Sequence, residues 1–266
     1  YLEYPLFRST GIVRHGFSTR LGGVSEGCFA SLNLSFTRGD DACKVKENFL
    51  RIGRAIGVKC EDMVFSQQTH TVNVHVVTEK ERGMGILRPR DYIDVDGLVT
   101  NVPGVCLVTF YADCVPLYFV DPVKKAVGLS HSGWRGTVGK IGQKTVEKMQ
   151  KEYGSDPKDI LAAVGPSICQ DCYEVSQDVA EQFQENFPES TWKEIFYRKE
   201  NGKYQLNLWK ANELILKEAG ITEEHIAVTN VCTRCNSRIL YSHREMGERR
   251  GNLCAFLALK REEELE

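Results

Sequence analysis

The spacing of apolar side chains changes repeatedly between a helical period and a strand period along this chain. Helical spacing predicts amphipathic helices over residues 40–57, 137–153, 175–187 and 208–219. Alternating or continuous apolar runs predict strands over residues 64–77, 105–111, 117–120, 126–129, 160–164, 226–231 and 253–259. Because strands and helices are interspersed and no linker or repeat divides the chain, we expect one α/β or α+β domain.

Composition and charge exclude several classes of protein. The formal net charge is -2, from 34 Lys+Arg and 36 Asp+Glu, so nothing indicates a nucleic-acid partner. No apolar run approaches the roughly 18 to 20 residues that span a bilayer, so we expect no membrane partner. The N-terminus lacks the layout of a secretory signal, and we therefore expect a cytoplasmic protein whose ten cysteines are reduced.

Three residues that can bind a metal stand where predicted strands begin or end. His70 opens the alternating part of the predicted strand 64–77 and shares a face with its apolar residues. Cys114 follows strand 105–111, and His131 follows strand 126–129. Strand ends commonly bring polar groups together at a pocket, and two imidazoles with one thiolate suit Zn²⁺. Three protein ligands would leave a fourth position open for water or substrate. The alternative, a buried histidine and a small apolar cysteine in the core, stays open because the spacing contains no short metal motif.

The segment after His131 is a candidate anion site. Gly133 and Gly136 allow tight backbone geometry on both sides of Trp134 and Arg135, and a predicted helix begins immediately afterwards. Arg135 could add a bidentate contact to a phosphate or carboxylate. The alternative is a simple turn into the helix, with Trp134 packed in the core.

Two segments carry a resemblance to a known family. ADCVP at 112–116 and HSGWRG at 131–136 resemble the hallmark motifs of laccase-domain proteins, long labelled multicopper polyphenol oxidoreductases and now described as purine nucleoside phosphorylases. FSTR at 17–20, SLNLS at 31–35, QQTH at 67–70, DGLVT at 96–100, GPSI at 165–168 and CYEV at 172–175 are similar to further motifs of the family, in the same order. The resemblance runs from about residue 16 to the last predicted strand.

The resemblance implies a fold, a cofactor and an activity. It implies a single α+β domain over residues 1–266, with two mixed β-sheets flanked by helices. It implies zinc bound by His70, Cys114 and His131, phosphorolysis of adenosine, inosine, guanosine and methylthioadenosine, and hydrolytic deamination of adenosine. Purine nucleosides and inorganic phosphate would then be the partners, and we expect a monomer or small homo-oligomer. Multicopper chemistry needs several histidine-rich clusters, whereas this chain has six histidines in total.

Further residues become candidates for catalysis and for substrate binding. Asp113 is a candidate proton carrier, or alternatively a partner that orients a ligand histidine. Candidates for phosphate and nucleoside binding are Asn33, Arg38, Gln67, Arg135 and Arg244. Two positions depart from the family pattern: Asn207 stands where Asp is common, and Arg250-Gly251-Asn252 replaces Thr-Gly-Arg, so the arginine would come from Arg249 or Arg250.

Several rival interpretations use other cysteines or other chemistry. Cys169-X2-Cys172 and Cys232-X2-Cys235 resemble a structural Cys₄ zinc site, although buried thiols or a redox-labile pair would also explain them. Cys114 could instead be the nucleophile of a cysteine hydrolase with His131 or His70 as its base. An amide hydrolase, of cysteine or zinc type, acting on cell-wall precursors is an alternative, as is a non-enzymatic interaction domain that holds a structural zinc.

Overall fold

The structure is a computed structural model that describes residues 1–265; Glu266, the last residue of the predicted domain, lies outside them. Residues 1–265 contain α-helices at α1 (Pro5–Arg8), α2 (Ala42–Ile56), α3 (Trp134–Val138), α4 (Ile141–Tyr153), α5 (Gln177–Asn186), α6 (Trp192–Ile195), α7 (Leu208–Glu218) and α8 (His243–Met246). The strands are β1 (Val13–Phe17), β2 (Met63–Phe65), β3 (Val74–Val76), β4 (Gly97–Thr100), β5 (Cys106–Tyr111), β6 (Val115–Asp121), β7 (Ala126–Ser132), β8 (Leu161–Val164), β9 (Glu174–Val175), β10 (Phe196–Arg198), β11 (Tyr204–Leu206), β12 (Ile226–Val228) and β13 (Leu253–Leu259). No helix within this part of the chain has both the length and the apolar character needed to cross a bilayer.

The strands form two mixed sheets and one small antiparallel sheet. The four-stranded sheet has the order β1-β13-β5-β2, in which only β2 and β5 are parallel. The six-stranded sheet has the order β12-β8-β6-β7-β4-β3, with parallel pairs at its two edges and antiparallel pairs inside. The predicted α+β domain with two mixed sheets flanked by helices is therefore confirmed. The third sheet, β10-β11-β9, was not predicted.

The two mixed sheets pack face to face, and helices cover their outer faces. The core between them is built from apolar side chains of both sheets, including Tyr111 and Leu257 from one and Leu98, Tyr118 and Leu129 from the other. The outer face of the six-stranded sheet packs on α4 and α7, and the outer face of the four-stranded sheet packs on α2. The apolar runs at β5 and β13 are continuous because both of their faces are buried.

Helix α2 shows how local sequence defines an element. The Asp41 carboxylate accepts a hydrogen bond from the backbone of Cys43 and begins the helix, and Gly57 ends it with a left-handed φ of 75°. Val45, Phe49 and Ile52 form the buried stripe that packs on the four-stranded sheet. The prediction over residues 40–57 is thus correct to within its capping residues.

Two predicted elements are wrong. The strand predicted over 64–77 is two strands, because β2 ends at Phe65, β3 begins at Val74, and residues 66–73 form a loop between them. The helix predicted over 137–153 is broken between α3 and α4 by Lys140, whose φ of 58° is left-handed. Both errors lie beside the candidate site.

Candidate metal centre and the cavity beside it

The structure brings His70, Cys114 and His131 together, with one ligand atom from each lying within 4.8 Å of the others. His131 lies near the end of β7, and Cys114 directly precedes β6. Strands β6 and β7 pair antiparallel with Pro116 opposite His131, so this register places Cys114 beside the imidazole. The rings of His70 and His131 meet edge to face, with 5.0 Å between their centroids.

His70 reaches this cluster for a different reason from the one that the sequence suggested. It lies in the loop 66–73 rather than at a strand end, with a φ of 64°, and it is exposed rather than buried. The argument from the alternating faces of a strand is therefore wrong. The position of His70 depends instead on backbone hydrogen bonds to Asp96.

Asp96 organises the cluster from behind. It directly precedes β4, is fully buried, and uses both carboxylate oxygens. Oδ1 accepts hydrogen bonds from Nδ1 of His131 at 2.8 Å and from the backbone of His70 at 3.1 Å. Oδ2 accepts from the backbone of Thr69 at 3.1 Å and of Thr71 at 2.8 Å, and from the Thr71 hydroxyl at 2.9 Å. With Nδ1 of His131 bound to Asp96, its Nε2 is the nitrogen left to bind a metal.

The cluster favours charged forms despite its burial. Burial alone would raise the pKa of Asp96, but the hydrogen bonds and charge of His131 and the backbone hydrogen bonds of the loop lower it to about 2. Burial likewise opposes a thiolate at Cys114, yet the charge and hydrogen bonds of His131 and His70 lower the pKa of this thiol. The pKa of His131 is raised, because the Cys114 thiolate and Asp96 outweigh the effect of burial.

Gly133 leaves the space in which the ligand side chains meet. A Cβ atom at this position would lie 3.0 Å from Cδ2 of His70 and 3.1 Å from Sγ of Cys114. Any larger residue would therefore press on two members of the cluster. The donor set, one thiolate and two imidazoles with a carboxylate behind one of them, fits a single zinc ion with an open fourth position.

A cavity of about 740 Å³ opens on this cluster and is lined by His70, Cys114 and His131. The volume is within the range of small-molecule sites. Its walls carry aromatic side chains, among them Phe36 and Phe110, which offer flat apolar surface to a planar ligand. Positive charge comes from Arg38, Arg90 and Arg250, which also line it.

Arg250 is the most unusual of these cations, since it is only 5% exposed. Burial, and then the positive charge of Arg38, lower the pKa of Arg250 to about 10. Its Nη1 donates to the backbone of Gly251 and to the Asn252 side chain, whereas its buried Nε has no hydrogen-bond partner. Arg38 is paired with Glu248 at 2.7 Å. An anion bound near the two arginines would relieve the repulsion between their charges.

The candidate substrate-binding residues divide into two groups. Arg38 and Gln67 line the cavity. Asn33 does not line it, because the Asn33 amide is fully buried and occupied by the backbones of Ser35 and Asn252 and by the Asp40 carboxylate. Asn33 therefore shapes the segment that carries Arg250 instead of contacting a ligand.

Arg135 and Arg244 also lie outside the residues that line the cavity. Arg135 is exposed, and its guanidinium stacks on the neighbouring ring of Trp134 at 4.3 Å. Arg244 donates to the backbone carbonyl of Glu174 at 3.0 Å and lies over the Tyr173 ring. The arginines that line this cavity are therefore Arg38, Arg90 and Arg250, whereas Arg135, in the predicted anion site at 133–136, does not line it.

Asp113 does not face the cavity and does not orient a ligand histidine. Its Oδ1 accepts a hydrogen bond from the Thr233 hydroxyl at 2.6 Å, and its Oδ2 accepts one from the backbone of Arg244 at 2.7 Å. The residue has a left-handed φ of 89° just before Cys114. Asp96, rather than Asp113, orients the ligand histidine. Asp113 instead positions the turn before Cys114 through its hydrogen bonds with Thr233 and Arg244.

The sequence analysis missed Asp96 and Arg90, and it left open the choice between Arg249 and Arg250. Asp96 was visible as the first residue of the DGLVT motif, where a carboxylate directly precedes an apolar strand. Of the two arginines considered near the C-terminus, Arg249 is exposed and Arg250 faces the cavity. The Asn207 departure is neutral for the local fold, because Asn207 caps α7 by accepting from the backbone of Lys210.

Comparison with known proteins identifies the family. A family model described as multi-copper polyphenol oxidoreductase laccase matches residues 14–260. The chain belongs to this laccase family. The purine nucleoside phosphorylase YlmD of Bacillus subtilis (strain 168) is 37% identical to this laccase-domain chain over 246 residues, covering 92% of the chain and 88% of the relative. Adenosine deaminase RL5, from an unknown prokaryotic organism, is 37% identical over 234 residues, covering 87% of this chain and 88% of that relative.

A solved structure shows the same fold. The crystal structure of YlmD from Geobacillus stearothermophilus matches this laccase-domain protein with a TM-score of 0.90 and 35% sequence identity, covering 97% of this chain and 94% of that one. The names of the relatives support an enzyme. The multi-copper part of the family description does not suit the ligand groups of the described residues, because several copper ions need several histidine-rich clusters. Across residues 1–265, the groups of potential ligands are the His70 cluster and a set of four cysteines, without a histidine-rich cluster.

Proposed function

We propose that the protein is a zinc-dependent purine nucleoside phosphorylase that also deaminates adenosine. The observation that carries the proposal is that the candidate metal ligands and the Arg38–Arg250 pair line one cavity. A metal site alone would serve many hydrolases, whereas a phosphorylase must hold an inorganic anion beside its organic substrate. The names of the relatives support both activities.

The side chains divide the work in this proposal. His70, Cys114 and His131 would hold the zinc ion, which would supply Lewis-acid catalysis when bound. Asp96 fixes the tautomer of His131, so that Nε2 of the ring faces the ligand position. Arg250, with Arg38, binds phosphate, since both guanidinium groups line the cavity and an anion would offset the repulsion between their charges.

The remaining walls suit a purine nucleoside. Phe36 and Phe110 offer apolar faces to the base, and Gln67 offers an amide to the base or ribose. Adenosine, inosine, guanosine and methylthioadenosine are the proposed substrates. A cytoplasmic location and a monomeric or small homo-oligomeric state remain predictions.

The test is incubation of the purified protein with adenosine, with and without phosphate, followed by chromatographic separation of the products. Adenine with ribose 1-phosphate, formed only with phosphate, reports phosphorolysis, and inosine reports deamination. Neither product, with zinc and phosphate both supplied, would contradict the proposal and favour a non-enzymatic interaction domain.

The anion site has a separate test with a matched control. Arg250→Gln removes a charged donor whose hydrogen bond to phosphate would contribute about 1.5–3 kcal/mol of binding free energy. We therefore expect the KM for phosphate to rise about 10- to 100-fold. Arg249→Gln removes the same charge from the exposed neighbour and leaves this KM unchanged. Equal effects of the two substitutions would contradict the assignment of Arg250.

One observation favours a second candidate, a cysteine hydrolase that cleaves amides in cell-wall precursors. The lowered pKa of Cys114 and the raised pKa of His131 describe a thiolate–imidazolium pair, which is the arrangement of a cysteine nucleophile and its base. The two candidates respond oppositely to reagents. Loss of activity with a zinc chelator and recovery with zinc supports the phosphorylase, whereas amide cleavage that resists chelation and is abolished by alkylation supports the hydrolase.

A further inference from the structure

Four cysteines converge at a second place in the fold. Cys169 and Cys172 flank a short turn after β8, and Cys232 and Cys235 flank a turn after β12. One sulfur atom from each of the four lies within 4.8 Å of the others. The fold thus joins two Cys-X2-Cys pairs from distant parts of the chain, which spacing alone could not establish.

The sulfur positions suit a tetrahedral metal. Zinc–sulfur bonds of about 2.3 Å in a tetrahedron place neighbouring sulfurs about 3.8 Å apart. The sulfurs of Cys172 and Cys235 are 3.5 Å apart, close to that separation. A set of four thiolates fills every position of such a tetrahedron, which is the arrangement of closed structural zinc sites.

Backbone donors and arginines surround the sulfurs. The Cys232 sulfur accepts hydrogen bonds from the backbone of Cys169 at 3.3 Å and of Cys235 at 3.4 Å, and such donors stabilise thiolate charge. Arg234 lies within the second pair, and the Arg244 side chain lies 3.4 Å from the backbone oxygen of Cys172. Four thiolates around one divalent ion leave a net negative charge, which these two arginines offset in part, because Arg234 is also paired with Glu245 at 3.1 Å.

We propose that Cys169, Cys172, Cys232 and Cys235 form a second, structural site for one zinc ion. This site has no open position and therefore holds the chain together instead of binding substrate. It is separate from the candidate metal centre at His70, Cys114 and His131, and it does not depend on the function proposed for that centre.

The proposed site ties together the two segments that hold Asp113. The backbone of Thr233 donates to the carbonyl of Ser167 at 3.1 Å, which joins the segments. From one segment the backbone of Ile168 donates to the Asp113 carbonyl at 3.0 Å, and from the other the Thr233 hydroxyl donates to the Asp113 carboxylate at 2.6 Å. Zinc at the four cysteines would therefore brace the turn that presents Cys114 to the first centre.

The test is metal content and spectroscopy on the full-length chain, expressed with added zinc and purified without chelator. Cys114→Ala removes the only thiolate of the first centre, and we expect this protein to retain one zinc ion in native mass spectrometry. Adding Cys172→Ser should abolish this zinc, while adding Cys43→Ser, at an exposed cysteine outside both clusters, should leave it unchanged. Cobalt exchanged into the Cys114→Ala protein should show intense thiolate-to-metal charge-transfer absorption.

The cobalt spectrum keeps the test decisive if the double variant does not fold. A Cys114→Ala protein without zinc, or one whose cobalt spectrum lacks thiolate charge transfer, would overturn the proposal. So would zinc content that is insensitive to Cys172→Ser. A metal-free chain whose mass is lower by two or four hydrogens would assign the cysteines to disulfides instead.

Discussion

Replacing Asp96 by Asn tests whether the carboxylate behind His131 builds the metal centre. The carboxylate accepts five hydrogen bonds, two on Oδ1 and three on Oδ2. An amide has one oxygen and one NH₂ group, so it can serve only one of these sets. If the oxygen faces Thr69 and Thr71, the NH₂ group meets the backbone N–H of His70 and the ring of His131.

The size of the effect follows from this geometry. At least two hydrogen bonds to a charged acceptor are lost, each contributing about 1.5–3 kcal/mol, so we expect the metal-free protein to lose about 3 kcal/mol or more of unfolding free energy. The NH₂ group also forces Nδ1 of His131 to accept, which places the ring proton on Nε2, where the metal binds. Loss of such an outer partner weakens metal binding about 10- to 100-fold, or roughly 1.4–2.8 kcal/mol.

Zinc affinity is measured by competition with a chromogenic chelator, and stability by urea unfolding of the metal-free protein. Asp94→Asn is the matched control, because Asp94 is exposed, accepts from the Thr69 hydroxyl at 2.8 Å, and has a φ of 54° that Asn tolerates. We expect the control to resemble wild type in both assays. An Asp96→Asn protein with wild-type zinc affinity and stability would refute the role given to the carboxylate.

Three further predictions concern other parts of the fold. Gly133→Ala places a methyl group 3.1 Å from the Cys114 sulfur and should weaken zinc binding. The control Gly136→Ala, whose added methyl group would have a backbone oxygen as its nearest neighbour at 3.3 Å, should leave zinc binding unchanged. Equal zinc affinities of the two variants would contradict this prediction. Burial lowers the pKa of His15 to about 4, so the unfolded chain binds this proton first as the pH falls. The free energy of unfolding should therefore fall by about 3 kcal/mol between pH 6.5 and 4, and His15→Gln should remove that part of the pH dependence in urea titrations; an unchanged slope would exclude His15 as its source. Asn207→Ala should lower stability by about 1 kcal/mol through loss of a helix cap, and Asn207→Asp should not; equal unfolding curves for all three proteins would show that the cap contributes nothing.

Local patterns predicted those elements whose boundaries depend on nearby residues. Helix α2 and strand β13 were predicted closely, because a capping pair bounds the helix and two-sided burial makes the strand continuously apolar. The convergence of His70, Cys114 and His131 was also anticipated. The loop 66–73 was not predicted, because Val72 continues the apolar alternation of β3 and so resembles part of a strand. The backbone of Thr71, just before Val72, instead donates to Asp96, which is distant in sequence.

The arginines near the candidate site show the other limit of prediction from sequence. Arg135 stands beside His131 in a distinctive motif, yet the start of α3 directs it away from the cavity, onto Trp134. Arg250 belongs to a segment that departs from the family pattern, yet it lines the cavity. Proximity in sequence therefore does not show which arginine lines the cavity, since this depends on tertiary packing.

The position of Asp113 affects how mutational data on this protein should be interpreted. A saturation screen scored by turnover would rank Asp113 with the metal ligands. Substituting Asp113, which directly precedes Cys114, removes the hydrogen bonds that its carboxylate accepts from Thr233 and from the backbone of Arg244. Such a ranking would suggest that Asp113 transfers protons, whereas its hydrogen bonds show a residue that positions the turn before Cys114. The pH dependence of turnover would distinguish these two roles. Loss of a positioning residue lowers the yield of active enzyme and leaves the shape of the pH profile unchanged, whereas loss of a proton-transfer group changes that shape.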